Sequence, residues 1–277
     1  MALFPGCLVL QRMPQYEKAG KRVLRELDIS VASIAYAACC GAPLESFTDK
    51  WLYLAAYNLS LAERMGFPVL TLCGNCTSSL LRADVALRDP SHRLLVNDKL
   101  DEIGLHFEGG TRVIHLVQVL SEQLEGLRDT VRAELSLKVA LTHPCQAFRP
   151  HEVLGFDDPL QPQAMRSIVE LTGAEVVPYD AEYDCCGSTL YLVNEQLGLE
   201  AGQRKLSSAA GADVLVDACG NCQLLLERFQ GLMNEGRAES KMPVLTLPQL
   251  LGLAMGIDPA ELGVGPVMAG KLLGSSP

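Results

Sequence analysis

The sequence predicts an α/β protein of two duplicated units, each a parallel sheet flanked by helices, related by pseudo-two-fold symmetry. Three observations predict it. Ten cysteines fall into two sets of five, and four of the five pairs share an offset of 146 residues. Short apolar runs alternate with stretches of helical periodicity, the pattern of a parallel sheet covered on both faces. The chain has 277 residues, 48% hydrophobic and 20% charged, which suits two domains with full cores and excludes a disordered chain.

Each element follows from its own stretch of sequence. In the first copy the short runs 2–4, 31–36, 69–72 and 112–116 read as strands, and 46–65 reads as the longest helix. Trp51, Tyr53 and Tyr57 lie in that helix and read as core. The polar stretch 125–134 separates the copies and sets a boundary near Ser136, giving domains 1–135 and 136–277. In the second copy the strands are 138–141, 175–177, 214–216 and 244–247. The helices between them are 163–171, 194–210 and 221–234, the last with Leu224, Leu225, Arg228 and Phe229 at helical spacing. Two Rossmann-like units are therefore expected.

The cysteines fix the repeat. Cys7 precedes the doublet Cys39-Cys40 with 31 residues between, and Cys145 precedes Cys185-Cys186 with 39 between. In both copies a glycine follows the doublet, and a Cys-Gly-Asn-Cys begins after 32 residues: Cys73 to Cys76, then Cys219 to Cys222. The extra residues of the second copy are assigned to the turn-rich Gly155-Phe156-Asp157-Asp158-Pro159. The repeat continues where Val113-Ile114-His115-Leu116 reads against Val244-Leu245-Thr246-Leu247.

Charge and compartment narrow the function. A net charge of -10 disfavours nucleic acid, whose binders gather Lys and Arg on one face. The start Met1-Ala2-Leu3-Phe4-Pro5-Gly6-Cys7 lacks the charged and apolar regions of a secretory signal, so a cytoplasmic protein is expected. The most lipid-like segment, 242–257, is interrupted by Pro248 and Gln249 and is too short to span a membrane. In a reducing compartment ten thiols point to metal binding or redox chemistry.

Each cysteine group falls just past the carboxyl end of a predicted strand, where open α/β sheets bind ligands, so five thiols converge on one site per domain. Cys73 and Cys219 precede a helix whose dipole favours thiolate. Gly74 and Gly220 are read as allowing a tight turn, and Gly41 and Gly187 as letting the backbone pass close to a bulky inorganic centre. Adjacent cysteines, about 3.8 Å apart at Cα, are too close for a relaxed disulfide. Three chemistries remain: a structural zinc, which leaves a fifth thiol unused; a dithiol redox pair, which needs neither doublet nor lone cysteine; and an iron-sulfur cluster.

The residues resemble a known family, the B subunits of heterodisulfide reductases, built from two cysteine-rich CCG domains. The resemblance rests on Pro5-Gly6-Cys7, Cys39-Cys40-Gly41-Ala42-Pro43, Arg149-Pro150, Asp157-Asp158-Pro159, Leu171-Thr172-Gly173-Ala174-Glu175 and Cys185-Cys186-Gly187 in family order. It implies two noncubane [4Fe-4S] clusters, one held by Cys7, Cys39, Cys40, Cys73 and Cys76 and the other by Cys145, Cys185, Cys186, Cys219 and Cys222. A disulfide placed between them receives one electron from each. It also implies a complex with two partners, the iron-sulfur C subunit and the flavin-bearing A subunit.

Cys219-Gly220-Asn221-Cys222, Thr142-His143-Pro144-Cys145 and Ser188 depart from the methanogenic pattern and resemble more the heterodisulfide-reductase-like complexes of sulfur-oxidising bacteria. There the implied substrate is a sulfur-bearing thiol or disulfide, carried for example on a lipoate protein. Two alternatives stand beside this: the coenzyme B and coenzyme M heterodisulfide reductase itself, and a CCG-domain electron-transfer subunit that never touches a substrate.

No flavin or NAD site is expected on this chain, because Gly263-Val264-Gly265-Pro266 follows no predicted strand and opens no predicted helix; it reads as a tail. His143, two residues before Cys145, is a candidate to orient or protonate a substrate sulfur, against a satisfied core histidine. Arg149 is read as meeting an anionic substrate or as an ordinary salt bridge. His115 lacks a duplicate, its counterpart being Thr246, and His92, His106 and His151 read as surface residues.

Overall fold

The computed structural model describes residues 1–233 and 241–274. It contains two four-stranded sheets of the same topology, all strands parallel. The first has the order β2-β1-β3-β4, from β1 (Ala2–Phe4), β2 (Ala32–Ser33), β3 (Val69–Thr71) and β4 (Val113–His115). The second repeats it as β6-β5-β7-β8, from β5 (Lys138–Thr142), β6 (Glu175–Val176), β7 (Val214–Asp217) and β8 (Val244–Thr246). The duplication expected from the cysteine offset is thus present in the strands.

Alternation along each strand divides the molecule into two hydrophobic cores. Leu3, Leu70, Val139, Leu141, Val216 and Leu245 point into one. Phe4, Val69, Ala140, Leu215 and Val244 point into the other. Each core therefore draws on both copies. The link between the copies is tied down as well: Arg132 N and Ala133 N both donate to Ala254 O, and Leu135 N donates to Thr172 O.

Four expectations are corrected. Residues 31–36 yield only the two-residue edge strand β2, because β1 is short and Tyr36, at φ 61° and 90% exposed, turns the chain away. The long helix begins at Trp51 rather than Ser46, after the short 3-10 turn Ala42–Leu44. The helix expected over 221–234 is interrupted: Gly220–Gln223 is α-helical, Leu224–Arg228 is a π-helical segment, and Gln230–Met233 resumes the helix. Its expected last residue, Asn234, lies outside the described residues. Segment 263–266 is no tail, since Pro266 opens the helix Pro266–Leu273, the first-turn position where a missing N–H costs nothing. Val264 and Leu272 are buried in the first core, and a Cβ on Gly263 would collide with Gln15.

The second-copy insertion behaves as expected of a turn. The Asp157 carboxylate accepts from Gln163 N and Ala164 N, at 2.9 and 2.7 Å, where the helix Ala164–Glu170 begins. Segment 242–257 forms β8 and the buried helix Leu247–Ala254. Among the described residues no helix is long and apolar enough to cross a membrane.

Candidate metal centre

The ten cysteines arrive from six strand ends. Cys7 follows β1 through Gly6, which sits at φ 76°; a Cβ there would lie 2.9 Å from Cys76 Sγ, so only glycine lets the two cysteine segments meet. Cys145 follows β5 and opens the 3-10 turn Cys145–Ala147. The doublets follow the edge strands β2 and β6. Cys73 and Cys219, in extended conformation, begin the helices after β3 and β7.

The glycines act differently from the expectation. Gly41 and Gly187, at φ 88° and 91°, abut Trp51 O, which a Cβ on Gly41 would approach to 2.7 Å, and Gly198 O. They are required by the helices behind the doublets, on the protein side. Gly74 and Gly220 mediate close packing between the copies: a Cβ would lie 3.2 Å from Ala147 N at Gly74 and 2.9 Å from Val9 Cγ2 at Gly220. Each Cys-Gly-Asn-Cys therefore seats against the lone-cysteine segment of the other copy. Gly220→Ala is expected to push Val9 aside and lower the melting temperature of the whole chain, checked by scanning calorimetry.

Together the thiols form one continuous string. Cys7 interacts with Cys39, Cys39 with Cys40, Cys40 with Cys76, and Cys76 with Cys73. The second set mirrors this through Cys145, Cys185, Cys186, Cys222 and Cys219. The halves join where Cys73 Sγ and Cys219 Sγ stand 3.7 Å apart, and Gly74 N donates to Cys219 Sγ at 3.3 Å. The two sets of five thiols thus stand in contact with each other.

Cys40, Cys73, Cys76, Cys186, Cys219 and Cys222 are buried, while Cys7 and Cys185 reach the surface. The Cys39 thiol is lowered to about 2 by donation from Cys40 and Cys7. Cys185 is lowered in the same way to about 2, by Cys145 and Cys186. Cys40 is pushed up to about 12, because its neighbour Cys39 holds the charge and burial penalises a second one.

Among the described residues no three His, Cys, Asp or Glu side chains are grouped to hold a single metal ion. The soft sulfur donors are instead spread along each half-string, a donor set that suits a centre of several irons with more than one thiolate contact.

A cavity of about 260 Å³ opens beside the first set. One wall is Cys7, Cys39, Cys40, Cys73 and Cys76; the other comes from the second copy, including Tyr191, Leu192, Leu224, Leu225 and Phe229. Tyr191 and Phe229 pack ring to ring at 5.2 Å. Among the described residues no Asp, Glu, Lys, Arg or His lines it, and beside the cysteines and Tyr191 its polar side chains are the neutral Asn75, Asn221, Ser188 and Thr189. Sequence reasoning placed Leu224, Leu225 and Phe229 on a helix but did not find the wall, because the π-helical segment that turns them there has no sequence signature.

Two further residues were missed by the sequence reading. Asn58, 1% exposed in the helix Trp51–Met65, donates from Nδ2 to Cys39 O at 3.0 Å and accepts from Ala38 N at 2.8 Å. Lys205, fully buried in the helix Glu195–Ser208, donates to Ala181 O, Glu182 O and Asp184 O at 2.6, 3.1 and 3.0 Å. Burial pulls its pKa down. One polar side chain thus ties the segment of each doublet to the helix behind it. The signal lay in a polar residue at a core-facing helical position. Asn58→Ala is expected to cost about 1–3 kcal/mol, the usual penalty for buried polar groups left unpaired, checked by denaturant unfolding.

All ten cysteines fall inside the two segments, 1–81 and 139–227, that match the model of the CCG family, the cysteine-rich domain. The chain is 37% identical over 276 residues to the B subunit of the ferredoxin:CoB-CoM heterodisulfide reductase of Methanosarcina mazei, covering 95% of this chain and 92% of that one. The chain belongs to the family of heterodisulfide reductase B subunits. Membership in this CCG family implies iron-sulfur clusters and a subunit of a reductase complex. Another family relative is the 8-methylmenaquinol:fumarate reductase membrane anchor subunit of Wolinella succinogenes, 34% identical over 269 residues, covering 95% of this chain and 94% of that one. The crystal structure of a hypothetical protein from Helicobacter pylori shares the fold, with a TM-score of 0.71 at 20% identity. It matches 95% of this chain, which spans about half that structure's length (50%).

The remaining candidates in this family member have structural partners. His143 is buried, its Nε2 3.3 Å from Glu182 Oε1 and its ring stacked on Tyr183 at 5.5 Å; Nδ1 has no partner. Arg166 holds the same carboxylate at 2.9 Å. Arg149 donates to Pro159 O and so braces the inserted loop. His92, His106 and His151 are exposed, as expected.

His115 caps the helix Leu116–Ser121 by accepting from Val117 N at 3.2 Å, as Thr246 caps the helix Leu247–Ala254. The duplicated role at this position is therefore helix capping. Burial lowers the His115 pKa to about 4, below its ordinary value of about 6.5, so the unfolded chain binds its proton first. The stability it contributes is present above about pH 6.5 and is lost as pH falls towards about 4. His115→Thr is expected to flatten that part of the melting temperature profile, measured against wild type between those limits.

Proposed function

We propose that this chain is the subunit of a heterodisulfide-reductase-like complex that makes or breaks a sulfur-sulfur bond at two noncubane [4Fe-4S] clusters. The first set, Cys7, Cys39, Cys40, Cys73 and Cys76, holds one; the second, Cys145, Cys185, Cys186, Cys219 and Cys222, holds the other. The observation that carries the reading is the meeting of the two half-strings at Cys73 and Cys219 beside a cavity walled by both copies. When bound, the clusters supply one electron each and an iron site for sulfur. The overall reaction is R–S–S–R′ with two electrons and two protons giving RSH and R′SH, or its reverse.

The chain's own residues shape the site. Leu224, Leu225 and Phe229 keep water from the sulfurs, and Asn58 and Lys205 fix the doublets. Glu182 and Arg166 hold His143 and so the turn that carries Cys145. Apart from the cysteines and Tyr191, no ionisable side chain among the described residues lines the cavity, which suits a sulfur borne on an uncharged carbon chain, because a charged tail there would find no side-chain countercharge. This fits oxidation of a sulfur-bearing thiol carried on a protein-bound arm such as lipoate, with electrons leaving in the cytoplasm through the iron-sulfur C subunit to the flavin-bearing A subunit.

The test is iron and acid-labile sulfide on the anaerobically purified chain, followed by low-temperature EPR of the oxidised protein with and without thiols. Roughly eight irons and a thiol-dependent signal are expected, as for two four-iron clusters. Zinc without sulfide overturns the proposal. A second reading, electron transfer without substrate contact, is favoured by the fumarate reductase relative. It predicts iron with spectra indifferent to every thiol.

A further inference from the structure

The two halves of the sulfur string are alike, but their surroundings are not. Lys205 is 0% exposed, and its Nζ has three separate backbone acceptors, Ala181 O, Glu182 O and Asp184 O. Three simultaneous donations need three N–H bonds, which only the charged ammonium has. The carboxylates of the residues it holds are engaged elsewhere. Glu182 pairs with His143 and Arg166, and Asp184 faces Arg204 at 3.4 Å. Tyr179 presents its ring to the ammonium at 5.4 Å, which adds a weak cation-π contact and no countercharge.

A buried cation lies, therefore, directly behind Cys185 and Cys186. The first copy has none in the equivalent place. Leu59 stands 146 residues before Lys205, and its neighbour Asn58, a neutral amide, does the holding. In a low-dielectric interior a unit charge acts strongly on any nearby centre that gains or loses an electron.

Resting on the reading of two iron-sulfur centres, we propose that Lys205 makes them unequal, raising the reduction potential of the centre held by the second cysteine set above that of the first. One-electron reduction of either centre adds one negative charge, and among the described residues only the second has a buried lysine behind its doublet. A single electron shared between the two centres therefore resides on the second. Lys205 is thus a tuning and positioning residue; it does not touch the reacting sulfur.

The test uses the full chain, purified anaerobically, in two single-centre forms. Cys40→Ser keeps the second centre and Cys186→Ser keeps the first. Spectroelectrochemical titration is expected to place the retained second centre more positive by about a tenfold change in the one-electron equilibrium constant, which is 59 mV. Adding Lys205→Gln to Cys40→Ser, which keeps two N–H donors and removes the charge, is expected to abolish the difference, and Lys205→Arg to preserve it. Equal potentials in the two single-centre forms, or a more positive first centre, overturn the proposal even where Lys205→Gln fails to fold. A chain that assembles no iron overturns the two-centre reading, and this proposal falls with it.

Discussion

Cys186→Ser is expected to remove the second centre, halve the iron from roughly eight to roughly four per chain, and abolish turnover of any disulfide. The reason is local. Cys186 is buried and stands in the string between Cys185 and Cys222, so no water or neighbouring side chain takes its place as a ligand. A serine hydroxyl at that position is a hard donor that ionises far less readily than a thiol, whereas iron and sulfide favour soft thiolate. Because the proposed reaction draws one electron from each centre, loss of one is expected to stop it. Cys40→Ser is expected to do the same to the first centre, since Cys40 is also buried and links Cys39 to Cys76. Iron, sulfide and EPR on each variant check this, and full iron content with full turnover in Cys186→Ser would sink the assignment.

Gly187→Ala is expected to destabilise the chain by about 3 kcal/mol or more, through two effects that add. The residue sits at φ 91°, which a side chain strains, and its Cβ would run into Gly198 O, backbone of the helix Glu195–Ser208. That helix carries Lys205, so moving it also loosens the hold on the Cys185-Cys186 turn. A melting temperature lower by about 5–10 °C is expected for a chain of this size, with loss of iron from the second set. Gly155→Ala is the control: φ is also positive, at 57°, but nothing lies within 4 Å of the added carbon. It is expected to shift the melting temperature far less, and an equal shift in both variants would show that backbone strain alone decides the matter.

The sequence carried the frame of this molecule but not its lining. The offset of 146 and the short apolar runs located the strands and all ten cysteines, because spacing and alternation are local properties. Tertiary contact decided the rest. Gly74 and Gly220 looked like turn glycines and instead seat one copy on the other. Leu224, Leu225 and Phe229 looked like one face of a regular helix, and the π-helical segment turns them into a cavity wall. Lys205 stands among polar neighbours in Gln203-Arg204-Lys205-Leu206 that give no sign of burial, and only the fold shows it buried. Pro266 was a legible helix start, overlooked because the glycines before it suggested a tail.

Both hydrophobic cores are built from both copies, Leu3 with Leu245 in one and Phe4 with Leu215 in the other. Either half by itself would leave these apolar surfaces open to solvent or to a second molecule of itself. Joined in one chain, the two halves meet without dependence on concentration and need not be identical, as the lysine behind one doublet and the asparagine behind the other show. Heating the chain should therefore give a single cooperative transition, independent of protein concentration, whereas either half expressed alone should dimerise or precipitate.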